Sequence, residues 1–280
     1  MLTIQSIAEL RTQLASWRNQ GRSLALVPTM GNLHAGHLHL VEQARKHAER
    51  VVVSVFVNPL QFGPGEDYDR YPRTLEEDRL QLEAIGADLL FAPLLTEIYP
   101  FPLAESTYVE VPVITEILCG AHRPGHFRGV TTVVAKLFNL VQPDVALFGE
   151  KDYQQLQVIR KMVTDLNFPV RVESVPIVRE ADGLALSSRN RYLNLQERAL
   201  APLLYQSLCK ARDAIVGGEK DFVALSRQAM AFLENRGLQP EYFEIRRTDL
   251  SGATADDRPL VILAAARIGA TRLIDNLSVP

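Results

Sequence analysis

Several features that would place the 280-residue chain in a familiar class are missing. No apolar run reaches the roughly 18–20 residues that a membrane-spanning helix needs. The two cysteines, Cys119 and Cys209, lie far apart without Cys-x-x-Cys spacing, which favours reduced thiols over a disulfide. Residues 1–6 lack the basic and apolar segments of a secretory signal. These absences predict a cytoplasmic protein with no membrane partner.

The chain also lacks a large excess of positive or negative charge. The formal net charge is −3, and no block of lysine or arginine stands out. A nucleic-acid partner is therefore not expected, since such binding depends on clustered positive charge. With 47% hydrophobic residues, the chain can bury a large core in one large domain or two modest ones.

Three common sequence signatures are absent as well. There is no G-x-x-x-x-G-K-[ST] phosphate loop and no G-x-G-x-x-G after the first predicted strand. There is also no G-x-S-x-G nucleophile elbow. A P-loop nucleotidase, a nicotinamide or flavin enzyme and an α/β-hydrolase are therefore not supported.

The chain does show an alternation between short apolar segments typical of strands and segments whose apolar residues recur at helical spacing. Strands are predicted at 23–27, 51–57, 88–91, 145–148 and 170–178, and helices at 38–48, 74–85, 130–141 and 154–166. This order predicts an α/β fold with a parallel sheet, whose ligands bind beyond the carboxyl ends of the strands. After residue 177, helical patterns at 195–216 and 220–236 precede strand-like runs at 242–246, 260–265 and 271–277. This order of helices followed by strands is typical of an α+β segment and predicts a lid or second domain.

One strand-to-helix turn carries two histidines and two glycines. Residues 28–37 read PTMGNLHAGH. Such a turn points backbone N–H groups and the positive end of a helix dipole at its ligand, and glycine permits a phosphate to approach. His34 and His37 can donate hydrogen bonds to phosphate oxygens, which favours chemistry at a nucleotide α-phosphate. Packing at a helix start and a His-x-x-His metal pair are the alternatives, although the glutamate of His-Glu-x-x-His is absent.

Two further segments allow two interpretations each. Residues 56–63, FVNPLQFG, carry amides suited to a hydroxyl and a carboxylate together, or they form an ordinary turn. Glu76, Glu77 and Asp78 lie in an early helix turn, where acidic residues are favourable and could also contact Mg²⁺.

Three basic or hydroxyl-rich segments follow in the chain. Residues 119–129 could form an anion-binding flap or a mobile surface loop. Lys151, at a strand end, could bind phosphate or be a solvated loop charge. Residues 186–190 could close over a triphosphate or link two domains, and a hinge loop can do both.

Taken in chain order, PTMG and HAGH, FVNPLQF, YPRT, RPGHF, FGEKD and LSSR resemble the pantoate–β-alanine ligase family over nearly the whole chain. The HAGH element is similar to the "HIGH" motif that class I aminoacyl-tRNA synthetases and nucleotidylyltransferases share. The resemblance implies a Rossmann-like catalytic domain at 1–177, a smaller α+β lid domain at 178–280, and a homodimer. It also implies ATP and Mg²⁺, and two steps: adenylation of pantoate, then attack by β-alanine to give pantothenate and AMP.

The resemblance further implies roles for matching positions. His34, His37, Lys151 and Arg189 would be catalytic, with His37 the general acid. Arg189 stands where related enzymes often carry a lysine. ATP would contact Pro28, Thr29, Met30, Gly31, Asn32, Leu33, His34, Ala35, Gly36, His37, Gly149, Glu150, Lys151, Asp152, Val178, Leu186, Ser187, Ser188 and Arg189. Pantoate and β-alanine would be held by Gln61, Asn58, Gln155 and His126, and Mg²⁺ by Glu77 or Asp78.

Three other functions remain as rival interpretations. An adenylyltransferase that stops after nucleotide transfer would need no second substrate. A nucleotide sensor would bind ATP without turnover. An activator like the aminoacyl-tRNA synthetases would carry a basic RNA-binding appendage, which the charge distribution opposes.

Overall fold

The computed structural model describes residues 1–280 and divides into two compact units. The first unit comprises residues 1–150 and 158–176, and the second comprises residues 151–157 and 177–280. None of the helices combines the length and apolar composition that crossing a membrane would require. The predicted roles of a catalytic domain and a lid domain stay predictions.

Strands and helices alternate through residues 1–176. The strands are β1 (Leu2–Ile4), β2 (Leu24–Thr29), β3 (Arg50–Val55), β4 (Leu89–Phe91), β5 (Val145–Gly149) and β6 (Arg171–Val175). The helices are α1 (Ile7–Asn19), α2 (Ala35–His47), α3 (Leu75–Ala84), α4 (Leu95–Ile98), α5 (Cys119–His122), α6 (His126–Val141) and α7 (Tyr153–Asp165).

The six strands form one sheet that is parallel throughout. Their order is β1-β4-β3-β2-β5-β6. Strands β2 to β5 are almost entirely buried, as expected for a parallel sheet that helices cover. From α2, Leu40, Val41 and Ala44 pack into this core. The predicted α/β class is confirmed.

The strand order places a topological switch point at β2. From β2 the chain runs outward to β3 and β4, and it later returns to lay β5 against the other edge of β2. The carboxyl ends of β2 and β5 are therefore neighbours, and a crevice at such a point is where open α/β sheets bind ligands. The PTMGNLHAGH turn begins there.

The second unit is built on an antiparallel sheet. Its helices are α8 (Leu195–Leu200), α9 (Leu203–Val216) and α10 (Phe222–Glu234), and its strands are β7 (Gln239–Arg247), β8 (Leu260–Ile268) and β9 (Thr271–Val279). Strand β8 lies in the middle, and its apolar sequence LVILAAARI is buried apart from Arg267. Leu204, Leu208 and Leu233 from the helices pack onto this sheet.

Some predicted boundaries are wrong, and some elements were not predicted. Helix α2 begins at Ala35 rather than 38, so His37 lies in its first turn. Helix α6 begins at 126 rather than 130, and α5 covers 119–122, so the predicted flap is largely helical. The pattern at 195–216 is two helices that meet at Pro202, because proline interrupts helical hydrogen bonding. Strand β1 and helix α1 were not predicted.

Candidate active site

The turn after β2 is shaped by backbone conformations that glycine favours. Gly31 has φ +82° and Asn32 has φ +51°, both in the left-handed region. A Cβ at Gly31 would lie 2.9 Å from Asp78 Oδ2 and from Val55 Cγ1. Glycine is therefore required at residue 31 for two independent reasons, its φ and the lack of space.

A buried carboxylate from α3 holds the same turn. Asp78 Oδ2 accepts a hydrogen bond from Asn32 N at 2.9 Å, and Oδ1 accepts one from Leu33 N at 2.7 Å. The Thr74 hydroxyl also donates to Oδ2, at 3.3 Å. Burial raises the pKa of Asp78, and the two backbone N–H groups oppose that rise. Asp78 therefore fixes the main chain directly before the histidines.

His34 forms the N-cap of α2. Its Nδ1 accepts a hydrogen bond from Gly36 N at 3.1 Å, so the neutral ring carries its proton on Nε2. The rings of His34 and His37 lie 4.0 Å apart between centroids. The helix N-terminus supplies partial positive charge beside both rings. This arrangement can donate hydrogen bonds to an anion.

The amide of Gln61 is oriented by its neighbours. Gln61 Oε1 accepts from Asn58 Nδ2 at 3.2 Å, and Gln61 Nε2 donates to Met30 Sδ at 3.0 Å. Asn58 also donates to Gly129 O at 3.0 Å and accepts from the Tyr99 hydroxyl at 2.9 Å. Asn58 is buried and its amide is used within the protein, so it positions Gln61.

Helix α6 approaches the Gln61 turn so closely that a side chain would not fit between them. A Cβ at Gly129 would lie 2.2 Å from Leu60 O. The His126 ring Nδ1 lies 2.7 Å from Gln61 O, and because a carbonyl can only accept, Nδ1 donates. His126 Nε2 then accepts from Arg123 Nη1 at 3.0 Å. Both ring nitrogens thus bond to protein atoms and support Gln61.

Arg123 links this helix to the loop after Gln61. Its Nε and Nη2 donate to the two carboxylate oxygens of Glu66 at 2.7 and 2.6 Å, and Nη2 also donates to Gln61 O at 3.2 Å. Burial disfavours the Glu66 charge, but the Arg123 fork outweighs it and holds the pKa of Glu66 below its ordinary value.

The other predicted nucleotide segments belong partly to the second unit. Gly149 is the last residue of β5 and Glu150 follows it, both in the first unit. The Ser174 hydroxyl donates to Glu150 Oε1 at 2.9 Å. Lys151, Asp152 and Gln155 lie in the second unit. The Lys151 ammonium is 3.8 Å from Asp152 Oδ1.

Residues 178–189 form a tight hairpin followed by a short helical turn in the second unit. Leu186 N donates to Val178 O at 3.0 Å, which closes the hairpin. Ser187 then caps the turn Ser188–Tyr192, with its hydroxyl accepting from Arg189 N at 3.3 Å. The Val178 and Leu186–Arg189 positions predicted for ATP are thus neighbours in space.

The predicted metal ligands do not assemble a metal cage. No group of three or more metal-binding side chains occurs in the structure. Both oxygens of Asp78 accept hydrogen bonds from the protein, and Glu77 is exposed. These two carboxylates therefore do not fit a dedicated Mg²⁺ site.

Several supporting residues were not identified from sequence. Each of them forms a hydrogen bond with a residue that is distant in the sequence. They are Glu66, Tyr99, Arg123, Arg179, Asp275 and Asn276. Only Arg123 lies in one of the motifs that carry the family resemblance, RPGHF. The spacing of Arg123 and His126 in that motif could have suggested that their side chains contact each other.

The parallel sheet, its switch point at β2 and the imidazole-bearing helix N-terminus define an α/β protein whose sheet edge presents hydrogen-bond donors suited to an anion. Residues 2–278 match the family model described as pantoate-beta-alanine ligase. The chain therefore belongs to the pantoate–β-alanine ligase family, and the predicted enzyme class is confirmed.

Individual relatives agree with this membership. The pantothenate synthetase of Azotobacter vinelandii is 56% identical over 280 residues, which cover 100% of this chain and 99% of that protein. The crystal structure of pantothenate synthetase from Thermus thermophilus aligns with TM-score 0.90 and 48% identity, covering 99% of each chain. Pantoate-beta-alanine ligase from Francisella tularensis, solved in complex with beta-gamma ATP and beta-alanine, aligns with TM-score 0.84 and 32% identity, covering 99% of this chain and 97% of that one.

Proposed function

We propose that this chain joins (R)-pantoate to β-alanine at the expense of ATP, with pantoyl adenylate as the intermediate and AMP and pyrophosphate as products. The whole-chain family match carries the proposal. The Francisella tularensis relative, whose structure holds an ATP compound and β-alanine, supports the choice of nucleotide and amine. The geometry of the His34 turn supports chemistry at a phosphate.

In the first step, a carboxylate oxygen of pantoate attacks the α-phosphorus of ATP. The bond from that phosphorus to the bridging oxygen breaks, and pyrophosphate leaves with the electron pair. Such a displacement needs positioning and charge stabilisation more than covalent help. The proposed donors are His34 through Nε2–H, His37 as general acid, Lys151 and Arg189.

The remaining predicted ATP contacts are proposed to act through the backbone and short side chains. In the first unit they are Pro28–Leu33, Ala35, Gly36, Gly149 and Glu150. In the second unit they are Asp152, Val178 and Leu186–Ser188. Asp78 supports the first set, because it fixes the N–H groups of Asn32 and Leu33.

In the second step, the amine of β-alanine attacks the acyl carbon of the adenylate and AMP leaves. Gln61 is the proposed contact for both pantoate and β-alanine, and Gln155 is the second contact for pantoate. The Gln61 Nε2–H group bonds only to a thioether in the interaction with Met30, and sulfur is a weak acceptor. A carboxylate or hydroxyl oxygen of a substrate can therefore replace it.

For Asn58 and His126, which the sequence predicted as pantoate contacts, we propose a role in holding Gln61 instead. The Asn58 amide and both nitrogens of His126 are bonded to the protein around Gln61. Their proposed role is to keep the Gln61 amide in one orientation.

Mg²⁺ is proposed to arrive with ATP as part of the substrate, bound mainly by phosphate oxygens, as is usual for this ion. No step is assigned to Glu77 or Asp78 as metal ligands. The predicted homodimer and cytoplasmic location remain predictions.

The proposed function is tested by measuring AMP and pantothenate formation from ATP and Mg²⁺, with pantoate and β-alanine supplied separately and together. Sustained AMP release only with both substrates, in equal amounts to pantothenate, is expected. ATP turnover that ignores β-alanine would indicate an adenylyltransferase with another acceptor. ATP binding without turnover under any combination would indicate a sensor.

A further inference from the structure

Asp275 and Asn276 are neighbours on β9, and Asn276 contacts the segment that contains Lys151. Asn276 donates from Nδ2 to the carbonyl oxygen of Lys151 at 3.1 Å. Asp275 and Asn276 are each only 5% exposed, whereas Lys151 is half-buried, so the donor side of this contact is shielded from water. Residues 151 and 276 are far apart in sequence but belong to the same compact unit.

The same pair also contacts the hairpin that leads to Leu186–Arg189. Arg179 donates from Nη1 and Nη2 to the two carboxylate oxygens of Asp275 at 2.7 and 2.9 Å. Its Nη1 donates to Gly183 O at 3.0 Å, and its Nη2 donates to Asn276 O at 3.2 Å. One guanidinium thus ties β9 to the tip of the hairpin.

Packing limits the freedom of this guanidinium. Arg179 stacks over the Tyr205 ring, with Cζ 3.8 Å from the ring centroid. A Cβ at Gly183 would lie 2.4 Å from Tyr205 Cδ1, so the hairpin tip also lies against this ring. The hairpin, the ring and β9 therefore have little room to shift independently.

The electrostatic cost of this arrangement argues against a role in stability alone. Burial raises the pKa of Asp275, while Arg179 and the Lys151 ammonium favour its ionised form. A buried ion pair is weak evidence for stabilisation, because desolvation offsets much of the attraction. What such a pair does supply is geometry: a fork with a single orientation.

We propose that Asp275 and Asn276 are positioning residues for adenylation. Asn276 holds the main chain of Lys151, and Asp275, through Arg179, holds the hairpin before Leu186–Arg189. Neither residue touches the substrate; each sets where a phosphate-binding segment lies. This inference rests on the proposed function, in which Lys151 and Arg189 contact ATP.

The test is Asn276→Ala, which removes the donor to Lys151 O. The assay is pantoate-dependent exchange of pyrophosphate into ATP, and the matched control is Ser278→Ala, an exposed position on the same strand. We expect Asn276→Ala to lower kcat/KM for ATP by about tenfold, the scale for losing one hydrogen bond to a partly buried acceptor. KM for pantoate and the rate of β-alanine attack on supplied adenylate should stay within twofold of the Ser278→Ala values.

A double-mutant cycle separates positioning from general damage. If Asn276 acts through Lys151, Asn276→Ala should lower exchange by less than about twofold further in a Lys151→Ala background. A full tenfold loss in that background would overturn the proposal, as would a lowered melting temperature with kcat/KM for ATP unchanged.

Other outcomes are also decisive. If Asn276→Ala does not fold, Asn276→Asp, which keeps the shape but replaces the donor with an oxygen, takes its place with the same expectations. If Lys151→Ala itself exchanges at the wild-type rate, the proposed site is wrong. If Lys151→Ala fails while both Asn276 variants match the control, the proposed function stands and the positioning role is rejected.

Discussion

Asp78 in the first unit and Asp275 in the second are both buried carboxylates beside predicted ATP-binding segments, yet different partners balance them. Asp78 accepts from two consecutive backbone N–H groups and has no arginine or lysine partner. Asp275 accepts from the Arg179 fork and from Asn276 N. Asp78 bonds directly to the turn at residues 32–33. Asp275 instead joins β9 to the distant hairpin through the side chain of Arg179. Hydrogen bonds to a nearby backbone and an ion pair between distant residues can thus both hold a segment that is predicted to bind ATP.

The largest expected effect comes from removing one proposed phosphate donor, His37 in the first unit or Lys151 in the second. His37→Ala and Lys151→Ala should each lower pantoate-dependent pyrophosphate exchange by at least ~10²-fold, the usual scale for losing one transition-state charge contact. The matched controls are His47→Ala and Lys46→Ala, both exposed near the end of α2, which should stay near the wild-type rate. A wild-type rate in His37→Ala alone would show that His37 is not the general acid.

A smaller loss is expected from changing the backbone of the first turn. Gly31→Ala combines an unfavourable φ with contacts of 2.9 Å to Asp78 and Val55, and should lower exchange by roughly 30-fold and stability by ~1–3 kcal/mol. Gly21→Ala is the control, since it has φ +72° and open space around it. Urea unfolding and exchange assays check both variants. An equal loss of activity in both would show that the turn beside Asp78 is not special.

Replacing the buried carboxylate should have a moderate effect on activity. Asp78→Asn turns one acceptor oxygen into an amide donor that faces a backbone N–H group, so exchange should fall about tenfold. Steady-state kinetics with varied ATP measure this loss. Unchanged kinetics would mean that Asp78 does not set the geometry of the turn.

The same variant gives a pH test. Because burial raises the folded-state pKa of Asp78, folding favours the protonated acid. That contribution to stability is fully present below the unfolded pKa of about 3.9 and is lost as pH rises through the folded pKa. The stability of the parent chain relative to Asp78→Asn should therefore decline as pH rises from about 4 toward 7, as followed by urea unfolding. A difference that grows with pH would contradict the assignment.

The smallest effect is expected at the arginine that supports Gln61. Arg123→Lys keeps the charge but loses the fork to Glu66 and the contact with His126, so KM for pantoate should rise about three- to fivefold with little change in KM for ATP. Arg128→Lys, at an exposed position in the first turn of α6, is the control. A selective rise in KM for ATP would instead place Arg123 with the nucleotide.

The sequence predicted what depends on local pattern. Apolar runs located five of the six strands of the parallel sheet, because buried parallel strands are continuous apolar segments. Asn194 and Glu197 have the three-residue spacing of a capping box, and they form one at the start of α8. The three-residue strand β1 and the polar helix α1 gave weaker patterns and were not predicted.

What escaped prediction depends on contacts between distant residues. Asp78 lies on a helix whose acidic first turn looks favourable by itself, so nothing local revealed that it binds the turn at 32–33. Asp275 and Arg179 are separated by 96 residues, and the pairing of two such charges follows only from the fold. Site roles assigned by resemblance remain predictions until tested.

The central claim is that pantoate is activated as an adenylate before β-alanine reacts. The most direct measurement is exchange of labelled pyrophosphate into ATP with Mg²⁺ and pantoate present and β-alanine absent. The account predicts sustained exchange that needs pantoate. Exchange that begins only when β-alanine is added would contradict it, because both substrates would then have to react in one step.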